Sequence, residues 1–155
     1  SSEAHRLEHS GEVMVPMLQY FLDYEFDILP VSVSKQTPEA AETISGQIFE
    51  ANKELQKELF FIASSDFSHY VNPEIGEKMD QYVIDAILKL DKESVFKQVK
   101  EKRISVCGYA PIMALIDYSL KSAKNPKVSL LKKGNSGEIL PSKEVVDYVS
   151  FLFYE

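Results

Sequence analysis

Strand-sized apolar runs alternate with capped amphipathic helices along this chain, and no other feature constrains its fold as tightly. Phe26–Val33 and Leu59–Ser64 are compact and apolar, the pattern of strands covered on both faces. Between them, Thr37 followed by Pro38 and Glu39 reads as an N-cap, with proline at the first helical position and an acid favoured by the helix dipole. Ile44, Ile48, Ala51 and Leu55 continue that helix's apolar face. Asn72 caps a helix over Pro73–Leu90, and Asp91 caps a shorter one bearing Val95 and Val99. Pro111 opens another, with Ile112, Leu115, Ile116 and Leu120 facing inward. Lys127–Lys132 and Val145–Phe153 read as two further strands joined around Gly134–Gly137. Near the start, Ser10–Tyr24 has helical spacing, and Pro16 inside it shortens or kinks the helix for want of an amide donor. The order helix, strand, helix, strand, three helices, strand, strand predicts a single α/β domain over residues 1–155. Parallel crossovers are expected at the front and a hairpin at the end. A four-stranded sheet has two interior positions, both claimed by the apolar runs, so the sheet is expected to want further neighbours.

Composition narrows the function classes. The chain has 155 residues, enough for one domain, and 45% of them are hydrophobic, enough to fill its core. A net charge of -7 argues against nucleic acid, whose phosphates need a basic face. Cys107 is the one cysteine, so no internal disulfide forms. No apolar run approaches the ~20 residues of a membrane span, and a cytoplasmic protein is expected. The sequence opens Ser-Ser-Glu without an initiating Met, from which trimming at that end is expected.

Chemistry-bearing residues gather in three places. Ser64-Ser65-Asp66-Phe67-Ser68-His69-Tyr70 follows an apolar run, where loops at strand ends collect ligands. Asp66 and His69 are spaced to act as orienter and base, or as metal ligands; the plainer alternative is a turn cap and a backbone-bonded histidine. Cys107-Gly108-Tyr109-Ala110-Pro111 runs into a helix N-terminus, where aligned amides favour a thiolate. The plainer alternative there is a buried, inert thiol. His5-Arg6-Leu7-Glu8-His9 has the H-x-x-E-H spacing of inverted zinc peptidases, but only four residues precede it. The following Ser10-Gly11 marks a helix start instead.

Taken together and in order, these motifs resemble the Memo family. The resemblance is carried by Glu8-His9-Ser10 with Glu12-Val13 and Pro16 ahead of Leu18-Gln19-Tyr20, by Ser64–Tyr70, and by Cys107-Gly108 with Pro111-Ile112. It implies a fold like the class III (LigB-type) non-haem iron extradiol dioxygenases, an α/β architecture with a parallel-rich mixed sheet flanked by helices. It further implies a metal, iron or copper, held by two histidines of a family member's N-terminal half and a cysteine of its C-terminal half. Carried over by motif, Cys107 is the thiolate ligand and His69 the pocket histidine serving as base or additional ligand. Asp66 orients His69, and His9, Ser65 and Gly108 line the same pocket. The family's His-Ala-Gly-Tyr and Gly-Pro-(Ser or Asn)-His stretches do not occur in this sequence. The chain is therefore expected to correspond to the C-terminal half of a family member, with the N-terminal half of the fold absent.

Three function classes follow. One is metal-linked redox or dioxygenase-like chemistry with His69 moving protons. Another is a non-catalytic module for a small molecule or phosphopeptide, which the animal member of the family implies, although phosphate recognition favours clustered arginines and only Arg6 and Arg103 are present. The last is hydrolysis with Cys107 as nucleophile and His69 and Asp66 behind it. An unpaired sheet edge invites another chain, so a homodimer or an N-terminal partner is also expected.

Overall fold

The computed structural model describes residues 2–155, and three of its helices begin where Thr37, Asn72 and Asp91 place them, whereas the helix expected to open at Pro111 begins at Tyr109 with no side-chain cap. The first compact unit ends at Ser34 and holds α1 (Ser2–His5) and α2 (Met14–Phe21). The second, Lys35–Glu155, holds α3 (Pro38–Leu55), β1 (His69–Val71), α4 (Pro73–Leu88), α5 (Lys92–Lys102), α6 (Tyr109–Ser122), β2 (Lys127–Asn135) and β3 (Val145–Tyr154). Thr37 Oγ1 accepts from the Ala40 N–H at 3.3 Å, Asn72 from Glu74 at 3.0 Å, and Asp91 from Ser94 at 2.9 Å. Each bond satisfies a donor that the first turn would otherwise orphan. Pro16 and Pro111 both fall in the first turns of their helices, where a missing N–H loses no partner. α2 is 8 residues long, shorter than the Ser10–Tyr24 stretch with helical spacing.

The three strands form one antiparallel arrangement in the order β1-β3-β2. The expected hairpin of the last two strands is present, with Lys127 opposite Tyr154 and Asn135 opposite Asp147. The expected parallel crossovers and parallel-rich sheet are not. Phe26–Val33 and Leu59–Ser64 form no strand. Phe61 packs its ring 5.5 Å from that of Tyr118, while Phe60 stays 76% exposed, and Leu29 in the earlier run is 83% exposed. An apolar run becomes a strand only when a neighbour takes its N–H and C=O groups. Apolarity alone signals a tendency to be covered. β1 is short because Tyr70, at φ 55°, is an extra residue between the pairs His69–Val146 and Val71–Val145, a bulge that bends the strand.

The core of the second unit lies between α4, α5, α6 and the start of β3. Val83, Ile84, Ile87, Val95, Met113, Ile116 and Val145 are buried there, each side chain contributing roughly 1.5–3 kcal/mol. Leu120, expected inward, is half exposed near the end of α6. α3 lays the small, fully buried Ala41 and Ser45 toward α6. That leaves room for Asp117, whose carboxylate accepts from the Ser45 hydroxyl, Lys121 and, at 2.6 Å, Lys92. Lys92 also reaches Glu42 at 2.7 Å, so one buried carboxylate ties α3, α5 and α6 together. Burial pushes the Asp117 carboxyl up, but its lysine and serine partners outweigh this and hold it below its usual value. Among the described residues, no helix is long and apolar enough to cross a membrane.

Candidate functional site

The Ser64–Tyr70 segment passes against the start of α6 and then enters β1. Gly108 makes this approach possible. A Cβ at that position would lie 2.6 Å from the Ser64 carbonyl oxygen and 2.7 Å from Ser65 Cβ. With φ at -113° the glycine is needed for space, and left-handed backbone plays no part. Its N–H donates to Ser65 Oγ at 2.8 Å. Cys107, just ahead, donates its N–H to the Asp66 carbonyl at 3.3 Å. In return the Asp66 N–H donates to Cys107 Sγ at 3.2 Å. The thiol is exposed, so the plainer reading of a buried, inert cysteine does not hold.

Asp66 also reaches His69. Its Oδ2 lies 3.6 Å from His69 Nε2, an ion pair when the imidazole is protonated. His69 Nδ1 lies 2.6 Å from the Ser105 carbonyl oxygen. A carbonyl only accepts, so Nδ1 carries a proton and Nε2 is the free nitrogen of the neutral ring. The His69 N–H donates to Ser105 Oγ at 2.8 Å. Asp66 therefore joins two residues far apart in sequence, the sulfur through its backbone and the imidazole through its side chain. Among the described residues, the hydrogen-bond partners of Sγ are Asp66 and Ser65, and no hydrogen bond joins the thiol to the His69 imidazole.

The histidines of the first unit are placed differently from a zinc peptidase. α1 ends at His5 and His9 lies outside any helix, so the two do not share one helical face. His5 Nδ1 instead meets Ser32 Oγ at 3.3 Å, and the Glu8 carboxylate accepts from Ser10. His9 is exposed. Neither arginine joins a phosphate-sized cluster, since Arg6 pairs with Glu3 and Arg103 closes α5. Among the described residues, no group of three or more His, Cys, Asp or Glu side chains is assembled to hold a metal.

Sequence reasoning missed Gln36 and Ser105. The Gln36 side chain donates to the Cys107 carbonyl at 2.5 Å and accepts from the Ala110 N–H at 3.0 Å, fixing the loop that carries the thiol. Nothing local marks it, because its partners lie 71 and 74 residues away in sequence. Two clefts lie elsewhere. One of about 330 Å³ is lined by α4, β2 and β3, and an open groove of about 960 Å³ lies within residues 15–28. Neither is lined by Asp66, His69 or Cys107.

Comparison with known proteins agrees with the order of these motifs. The profile of a family described as "Memo-like protein" matches residues 1–152. A MEMO1 family protein of Methanococcoides burtonii is 41% identical over 150 residues, covering 96% of this chain and 56% of that relative. A MEMO1 family protein of Sulfolobus acidocaldarius is 38% identical over 151 residues, 97% of this chain and 52% of its own length. One of Archaeoglobus fulgidus is 37% identical over 150 residues, with 97% and 56% covered. The chain spans about half the length of the curated relatives it matches. With a family profile running through the segments that carry Asp66, His69 and Cys107, this chain belongs to the Memo-like protein family.

Proposed function

We propose that Cys107 and His69 are two donors of a metal-linked pocket, that Asp66 holds them in one arrangement, and that the remaining donors lie in the length of the relatives that this chain does not span. The observation that carries this reading is the double engagement of Asp66, by N–H on Cys107 Sγ and by carboxylate near His69 Nε2. A thiolate and an imidazole suit copper or iron better than hard, oxygen-seeking cations. The bound metal would supply redox or Lewis-acid chemistry. What this chain's own residues do is narrower. The Asp66 N–H orients the sulfur, the Ser105 carbonyl fixes the imidazole tautomer, and Nε2 is left to accept a proton or a metal. Asp66 Oδ2 stabilises the imidazolium when Nε2 takes a proton.

The hydrolase alternative has less support, because no hydrogen bond joins His69 to the sulfur among the described residues. The phosphopeptide alternative lacks arginines at the site. The test is alkylation of Cys107 by iodoacetamide with and without added iron(II) or copper(I). Protection by metal that weakens in His69→Gln is expected. Equal alkylation rates with and without either metal would count against the donor role.

A further inference from the structure

Asp80 and Asp147 are two buried acids that the Cys107 group does not use, 3% and 7% exposed. Asp80 comes from the middle of α4 and Asp147 from β3. Both line the same cleft beside α4 and β3, and each alters the other's titration. Among the described residues Asp147 Oδ2 has no donor, and it lies where a side chain at position 76 would be, so that a Cβ on Gly76 would collide with it. A buried carboxylate oxygen without a donor is costly when ionised, and two carboxylates this close do not both ionise readily.

Both acids grip the strand of chain that leads to His69. The Ser68 hydroxyl donates to Asp80 Oδ1 at 2.6 Å. The Asp147 N–H donates to the Ser68 carbonyl at 2.8 Å, and the Phe67 N–H donates to the Asp147 carbonyl at 2.9 Å. Residues 67 and 68 are therefore held by the Asp80 carboxyl and by the Asp147 backbone, and Asp66 and His69 flank them directly.

We propose that Asp147 and Asp80 share one proton, and that this proton is a pH-sensitive latch holding the Asp66–His69 segment between α4 and β3. With the proton on Asp147, its O–H donates to Asp80, which also accepts from Ser68, and the three groups form a closed chain. When pH rises, the proton leaves to solvent and two buried negative charges face each other. The repulsion falls on the joint between α4 and β3, and the Ser68 grip loosens. The charged groups around the pair set the direction. From α4, Glu77 and Glu74 add negative charge; from the turn before β3, Glu138 does the same; from β2, Lys133 opposes them, 3.3 Å from Glu77. His69 on β1 sits opposite Val146, one residue from Asp147, and is the other group that titrates nearby. Burial first, and Asp80 second, raise the Asp147 carboxyl to about 6, with Glu77 adding to the shift and Lys133 opposing it. Burial likewise raises Asp80.

This latch is independent of what Cys107 and His69 bind. The test follows the Gly76 and Ser68 amide resonances from pH 4.5 to 8 by NMR in the wild-type, Asp147→Asn and His69→Gln chains. Gly76 reports the pair itself, and Ser68 reports its transmission. One shared inflection near pH 6 is expected in both amides. It persists in His69→Gln and is lost in Asp147→Asn. No inflection, or one lost in His69→Gln and kept in Asp147→Asn, overturns the proposal. An inflection at Gly76 with a flat Ser68 amide overturns the latch as well. Should Asp147→Asn fail to fold, Asp80→Asn removes the partner charge and leaves Asp147 to titrate alone; the inflection is then expected to move to lower pH, and an unmoved inflection overturns the shared proton.

Discussion

Gly108 and Ser65 meet so closely, N–H to Oγ at 2.8 Å, that any side chain at position 108 displaces the Ser64–Asp66 backbone. Gly108→Ala places its methyl 2.6 Å from a backbone oxygen, which no rotamer change relieves. Destabilisation of about 2 kcal/mol is expected from overpacking of this kind, read from urea unfolding. Cys107 alkylation is expected to change with it, because the Asp66 N–H moves off the sulfur.

Gly46→Ala should do the reverse. Gly46 sits inside α3, and the nearest atom to a Cβ there is Lys121 Nζ at 3.9 Å, an ordinary contact at the tip of a flexible side chain. Replacing a mid-helix glycine by alanine is worth about 0.5–1 kcal/mol of stability. A higher urea midpoint is the expected readout, and a lower one would mean that α3 approaches α6 more closely than the structure has it.

Asp117→Asn should cost about 3 kcal/mol, the lower end for removing one partner of a buried ion pair, because Lys121 is 37% exposed and solvent compensates it. Lys92, at 17% exposure, loses one of its two acidic partners and keeps Glu42. The double variant Asp117→Asn with Lys92→Met should recover part of the loss. Additive losses in that cycle would show that the two side chains do not interact.

Stability should fall as pH rises from about 4 to about 6. Asp147 is raised from 3.8 to about 6 in the folded chain, so the folded state holds a proton that the unfolded state releases, and stability declines across that window. Asp117, Asp91 and Glu39 are lowered in the folded chain. Their contributions are present above the usual carboxylate range and are lost only below about pH 4. Thermal melts at pH 5 and 7 separate the two sets, and Asp147→Asn should flatten the difference between them. A wild-type midpoint that climbs steadily from pH 5 to 7 and is matched by Asp147→Asn would rule out the shared proton.

What the sequence made legible was local. Thr37, Asn72 and Asp91 act on donors two or three residues away, so their helices could be read from adjacent letters. Asp66, His69 and Cys107 stood out for the same reason, each inside a short polar motif. Their connection could not be read that way. The Asp66 N–H meets Cys107 Sγ across 41 residues, and Gln36 reaches Cys107 across 71. The strands failed for a related cause, because Leu59–Ser64 shows its apolarity in sequence but not whether another strand lies beside it. Asp80, Asp117 and Asp147 were missed because an acid on a helix or strand reads as solvated until the element that covers it is known.

The most direct measurement for the paired-donor account is cobalt(II) titration of the chain under anaerobic conditions, following the thiolate-to-cobalt absorption band. The account predicts a band in the wild type, its loss in Cys107→Ser, and weaker binding in His69→Gln. A band that survives Cys107→Ser, or affinity unchanged in His69→Gln, would contradict the claim that Asp66 holds these two side chains as donors to one metal.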